Sequence, residues 1–430
     1  MLNPVVWNSR WQGAADTLAE MDRDYGQMST PTFRALSACL EAFARDQFQF
    51  FLEGFEKGRL LPSPEHPAEN VLRAMLDQAS YDLTAVQLAV DQRVDGSSAM
   101  QAALSKADAL AQDALALASR AQLMKPAVAV TYFNKDTNIR VIPYAPVALL
   151  GLPFTCINTP QDFLAIPHEV GHYVFRHAPG LAAALEALLL PGLPSWGSGW
   201  LEEIFADVYG TLVAGPVIAL DFQDLLLDNP VSYLKEDDGE HPADAVRPFI
   251  YIRLLQELGY KKAAPALQRR WQQALAERGK PQSVTLSDGS GEAPLAVVRD
   301  VVEETAVSIL HYLTGQRGVS PTAVWSDDLD SAKTEPETLY TAFTAWLQNN
   351  PATAVNQLKV EEGEAFVVSA DGTSGNRRRL GETQTWRDWF KAQSRANPQD
   401  ALPTAVWTEI FTAGGWPVKG PDGNGGHGLP

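Results

Sequence analysis

Within this 430-residue chain, the stretch His168-Glu169-Val170-Gly171-His172 is where side-chain types and spacing point to chemistry. On a helix, positions i and i+4 share one face, so His168 and His172 can offer two imidazole nitrogens to one metal ion. Glu169 then stands beside that ion without binding it. A catalytic zinc takes three protein ligands and keeps one position for water, and two histidines with a glutamate form a recurrent set. Glu203-Ile204-Phe205-Ala206-Asp207, further along the chain, supplies the carboxylate. Glu203 and Asp207 are again i and i+4. One can bind the ion while the other accepts an N–H from a ligand histidine and fixes its tautomer. Trp200, Leu201, Ile204, Phe205, Val208 and Tyr209 around them are apolar or aromatic, a setting in which two carboxylates need partners.

His168-Glu169-x-x-His172 followed by Glu203-x-x-x-Asp207 resembles the gluzincin zinc metallopeptidases, the thermolysin-like group whose third ligand is a glutamate. The resemblance covers residues 125–260 and leaves the remainder unmatched. It implies His168, His172 and Glu203 as ligands of one Zn2+ per chain, Glu169 as general base, Asp207 as the support of a ligand imidazole, and a peptide or protein substrate. A metzincin would carry Gly at 175 and His at 178, where this chain has Phe175 and Ala178. An aspzincin-like use of Asp207 in place of Glu203 stays as the alternative. His241-Pro242-x-x-x-x-Arg247 is similar to a stretch that follows the third ligand in some integral-membrane gluzincins. That similarity implies a catalytic role for His241, as donor to a developing oxyanion, with a nearby tyrosine as the other candidate. The plain alternative is a helix-start histidine and a salt-bridging Arg247. His177 is rotated away from the metal face and reads as a helix-end histidine.

The elements that must position these residues can be read from hydrophobic period. Residues 31–125 are helical: Phe33, Leu36, Leu40, Phe43, Phe48, Phe51 and Phe55 recur at helical steps and read as core, and further helices follow the Pro62-Ser63-Pro64 break. His66, in that break, reads as a surface residue. After Pro126 the period becomes that of strands. Ala127–Phe133 and Ile139–Tyr144 flank Asn134-Lys135-Asp136 as an expected hairpin, with Val147–Leu152 and Phe154–Asn158 as two more short strands. Ala145–Leu152 is expected to form the exposed edge on which an extended peptide could pair. The metal helix starts either at Pro167 or at Thr159 with a kink. Gly171, a poor helix former, marks a close approach by another helix, and Gly210 and Ala214 lie on the matching stripe of the second helix. Ala264–Glu277, Leu295–Gly315 and Glu335–Gln348 read as helices, Ser287–Glu292 as a loop, and Val360–Ala370 as a strand. Arg377-Arg378-Arg379 reads as a solvated turn and Gly414–Pro430 as a Gly- and Pro-rich tail.

The expectation is therefore an α+β, predominantly α-helical protein, with a zincin-like core built on a small, mainly antiparallel sheet and two metal-binding helices. The expected division is an N-terminal helical region over 1–125, the metallopeptidase core over 126–280, a mainly helical region over 281–416, and a flexible tail over 417–430. Lys and Arg number 34 against 52 Asp and Glu, a formal charge of −18 that disfavours nucleic acid and anionic membrane as partners. Two cysteines make no disulfide framework and read as buried thiols. No basic-then-apolar leader opens the chain, and Leu181–Leu193 is too short and too interrupted to span a bilayer, so a cytoplasmic location is expected, with non-classical export as the alternative. Two other functions fit the same residues: a zincin-fold scaffold that binds but no longer cleaves, and a zinc hydrolase of a small amide. Substrate preference and oligomeric state have no signature here.

Overall fold

Helical spacing dominates the sequence, and the computed structural model is mostly helical with small sheets, an α+β arrangement. It describes residues 2–25, 30–62, 67–135, 137–140, 142–322, 336–349, 353–375, 377–381 and 402–403. His66, Glu335 and the tail 414–430 lie outside these. The helices in chain order are α1 (Pro4–Tyr25), α2 (Pro31–Glu56), α3 (Ala68–Val94), α4 (Ser98–Arg120), α5 (Ile166–His177), α6 (Leu181–Leu189), α7 (Leu201–Ala214), α8 (Pro216–Leu227), α9 (Arg247–Glu257), α10 (Ala263–Glu277), α11 (Leu295–His311) and α12 (Pro336–Asn349). The strands are β1 (Leu60–Leu61), β2 (Val128–Asn134), β3 (Asn138–Arg140), β4 (Val147–Pro153), β5 (Ser283–Leu286), β6 (Gly291–Pro294), β7 (Gln357–Glu361), β8 (Glu364–Val368), β9 (Arg378–Arg379) and β10 (Leu402–Pro403). Among the described residues no helix is long and apolar enough to cross a membrane. By packing, the described residues fall into two units, one within Met1–Asp108, Pro126–Leu152 and Ala354–Leu429, the other within Ala109–Lys125 and Pro153–Thr353.

The first unit is built on the aromatic stripe of α2. Phe33, Leu36, Leu40, Phe43, Phe48 and Phe51 are buried in one core with Val71, Leu72, Met75 and Val86 of α3. Each such side chain removed from water contributes about 1.5–3 kcal/mol. Trp7, Trp11 and Leu18 of α1 join that core, and Trp11 stacks on Phe48 at 5.6 Å between ring centres. This helix lies within the region 1–125 expected to be helical but was not read individually; its Trp7-Trp11-Leu18 spacing was the available signal. The buried Asp82 of α3 is satisfied: it accepts from Arg140 Nε at 2.7 Å and Tyr144 OH at 2.9 Å.

Strand order in this unit corrects two expectations. The sheet runs β2-β4-β3, so β2 and β3 are not partners and do not form the hairpin expected around Asn134-Lys135-Asp136. β4 lies between them, with Ile139 opposite Leu150, and is the central strand instead of the exposed edge. The reason is its composition: Val147–Leu152 is apolar and buried throughout. A strand with no polar face is most stable when paired on both sides. Phe154–Ile157 is not a strand but a 3-10 turn, with Asn158 N and Thr159 N both donating to Thr155 O. Over five residues, periods of two and three cannot be told apart. Further on, Val360–Ala370 is not a single strand. It contains the turn between β7 and β8, where Glu362 and Gly363 both have positive φ, as a two-residue hairpin of right-handed strands requires.

The second unit holds α5 to α12 with the β5–β6 hairpin. A 3-10 turn over Pro160–Ala165 leads into α5, whose first turn contains Pro167, where a missing N–H costs nothing. The helix therefore begins between the two expected starts. Gly171 of α5 meets α7 directly: a Cβ there would stand 2.7 Å from Ala206 Cα. Gly210 of α7 faces the backbone of His168, with 3.4 Å from its Cβ position to His168 N. The two small residues let the motif helices approach closely. Gly171→Ala is expected to cost about 1–3 kcal/mol, read as a lower midpoint of urea unfolding; an unchanged midpoint would show that α5 and α7 can part freely. Cys39 of the first unit and Cys156 of the second are both buried and unpaired.

Candidate metal centre

His168, Glu169 and His172 project from α5 and Glu203 and Asp207 from α7, and all five are buried to within 1% of complete exclusion from solvent. His168 Nε2 and His172 Nε2 are 3.2 Å apart. Glu203 reaches both, Oε2 to His168 Nε2 at 3.4 Å and Oε1 to His172 Nε2 at 3.3 Å. Donor atoms of these three residues all lie within 4.8 Å of one another. Four ligands around zinc at ordinary N and O distances stand about 3.3 Å apart. The three side chains thus have the spacing of three corners of one tetrahedron.

Each imidazole is held from behind. Asp207 Oδ1 lies 2.9 Å from His168 Nδ1, and Glu202 Oε1 lies 3.2 Å from His172 Nδ1. A carboxylate beside Nδ1 favours the tautomer whose Nε2 carries the lone pair, and at His168 that Nε2 also lies 3.2 Å from Arg247 Nη2. Glu202 is itself steadied by Arg176 Nε at 2.7 Å. Asp207 receives Tyr251 OH at 2.6 Å, Arg247 Nε at 3.1 Å and Arg247 Nη2 at 3.0 Å. The same Nη2 donates to Glu203 Oε2 at 2.9 Å. Arg247 opens α9, is 1% exposed, and lies over the Phe222 ring at 5.0 Å.

Electrostatics make the site receptive to positive charge. Burial raises the Glu169 carboxyl above its usual range despite the nearby His172 and His168. Burial pushes Glu203 and Asp207 the same way but is overcome: His172, His168 and Arg247 hold Glu203 well below the usual value, and Arg247 and His168 lower Asp207. Burial opposes a charge on His168, yet Asp207 and Glu203 raise it to about 9. Carboxylates that favour a proton on this imidazole also favour positive charge beside it. Glu203 and Asp207, both held ionised, bring two buried negative charges against the one of Arg247, and a cation at the donor atoms would balance the remainder. Both oxygens of Glu169 are buried without a hydrogen-bond partner among the described residues. The residues present fit a divalent metal.

His241 stands apart from the three. Its Nε2 lies 3.4 Å from Glu203 Oε1, and its Nδ1 lies 2.7 Å from Asp238 Oδ2. Burial opposes its charge, whereas Asp238 and Glu203 raise its pKa. His177 ends α5, stacked on Tyr173 at 4.2 Å, and His311 is exposed at the end of α11. Sequence reasoning did not place Arg247, Tyr251 or Glu202 on the ligands. The available signals were local: Glu202 adjoins Glu203, Arg176 is four residues past His172, and Arg247 and Tyr251 are themselves i and i+4.

Comparison with protein-family models, curated proteins and solved structures found no match to this chain.

Proposed function

We propose that this protein is a zinc-dependent metallopeptidase of the gluzincin type, with a zincin-like core around α5 and α7. The observation that carries the reading is Glu169: fully buried, unpartnered at both oxygens, and next to a set of donors spaced for one ion. A scaffold that only held metal would have no use for a carboxylate in that condition. His168, His172 and Glu203 would hold the ion, which when bound lowers the pKa of a water and polarises a peptide carbonyl. Glu169 takes the proton from the attacking water and passes it to the leaving amine. Asp207 and Glu202 keep the two imidazoles in their binding tautomers. His241, beside the ligand set instead of within it, donates from Nε2 to the oxygen that becomes negative. Arg247 steadies both Glu203 and Asp207.

The test is zinc per chain by elemental analysis, on protein prepared without chelator or histidine tag, beside a His168→Ala control. About one zinc in the parent and none in the control is expected. Stripping that zinc is expected to lower the melting temperature, since a ligand bound only by the folded state stabilises it. A chain that takes up no zinc even when it is supplied would overturn the proposal. With zinc established, cleavage of an unstructured protein such as casein separates a peptidase from a hydrolase of small amides.

A further inference from the structure

His241 lies in an irregular acidic stretch, and such loops move unless anchored. This one is anchored to a hairpin more than forty residues downstream. Thr285 N of β5 donates to Lys235 O at 2.6 Å, and Asp237 N donates to Thr285 O at 3.1 Å. Within the acidic run Glu236-Asp237-Asp238, only Asp237 is buried. It accepts Ser287 N on Oδ2 at 2.9 Å, Ser287 Oγ on Oδ1 at 2.8 Å, and Trp200 Nε1 on Oδ1 at 3.4 Å. Trp200 leads directly into α7, three residues before Glu203. Two more contacts join the same three segments: a Cβ at Gly199 would collide with the Gly239 carbonyl, and Ser195 Oγ donates to Asp288 Oδ2 at 2.8 Å. Next to Asp237, Asp238 accepts the His241 backbone N–H at 2.7 Å and faces its Nδ1. The histidine is left with Nε2 toward Glu203.

We propose that the β5–β6 hairpin is part of the working site: through Asp237 it sets where His241 stands, making Asp237 and Ser287 positioning residues for that histidine. The inference rests on the peptidase reading above only for its catalytic consequence. A donor must stand within a fraction of an ångström of its place to act on a developing charge. Asp237 provides this by tying the His241 loop, the hairpin and the start of α7 to one carboxylate.

The experiment uses the full chain, zinc-loaded, as parent, Asp237→Asn and Ser287→Ala, each checked for folding by circular dichroism. The first readout is the rate at which diethyl pyrocarbonate modifies His241, followed by mass spectrometry of its peptide. His241 is 14% exposed at its side chain, and release of the loop is expected to speed its modification several-fold in both variants. The second is peptide cleavage. The variants are expected to lose about tenfold or more in kcat with KM and zinc content unchanged, and to lose nothing further in a His241→Ala background. Parent-like modification rates in both variants would overturn the proposal, as would an equal fold-loss of kcat with and without His241. A zinc-loaded parent that cleaves no peptide would refute the peptidase reading alone, because the modification rates still decide whether the hairpin holds His241.

Discussion

Glu169→Gln is expected to keep about one zinc per chain and to lose peptide hydrolysis by about a hundred- to ten-thousandfold, the range supplied by a general base. The substitution preserves shape and polarity and removes only the capacity to take a proton. Among the described residues nothing hydrogen-bonds the Glu169 oxygens, so loss of the carboxylate disrupts no network there. The ligand nitrogens and Glu203 are held instead by Asp207, Glu202 and Arg247, which the substitution leaves in place. Glu203→Ala is the contrasting variant, since it removes the one carboxylate that spans both imidazoles and is expected to lose the metal itself. The metal-free Glu169→Gln protein should also be about as stable as its parent, because one buried, unpartnered polar group replaces another of the same shape. Zinc analysis, casein cleavage and urea unfolding check the three statements. Undiminished hydrolysis by Glu169→Gln would sink the assignment of the base.

Arg247→Met carries the largest expected cost in stability, about 3–5 kcal/mol in the metal-free protein. The guanidinium donates to both buried carboxylates of α7, through Nη2 to Glu203 and through Nε and Nη2 to Asp207. Methionine fills much of the space over Phe222 and leaves both acids without their counterion. Arg247→Lys is expected to recover only part of the loss, because a single ammonium cannot reproduce a fork of three donors. Zinc should restore part of the stability of Arg247→Met, since the ion supplies positive charge to the same acids. Urea unfolding with and without zinc measures each term. An unchanged midpoint for metal-free Arg247→Met would mean that the acids are already neutral and that Arg247 is not what compensates them.

What was legible in the sequence follows the range of the forces involved. The pairing of His168 with His172, and of Glu203 with Asp207, needs only 3.6 residues per turn, and the structure brings all four together with Glu169 beside them. The close crossing at Gly171 was legible for a similar reason, because a glycine inside a helix is costly unless backbone approaches it. The stripe of α2 proved to be core. Strand order was not legible: β4 pairs with its neighbour β3 and takes β2 on its other side, and hydrophobic period does not encode whether β2 joins β3 or β4. Nor was the support of the site. Arg247 and Tyr251 reach Asp207 across forty or more residues, and Asp237 meets Ser287 across fifty. By itself the sequence determined which residues share a helix face and hence which could be ligands, because that geometry is local. Which charges compensate those ligands, and which hairpin holds His241, only the tertiary structure decided, because buried charges take whatever partner the packing of distant segments brings within hydrogen-bonding distance.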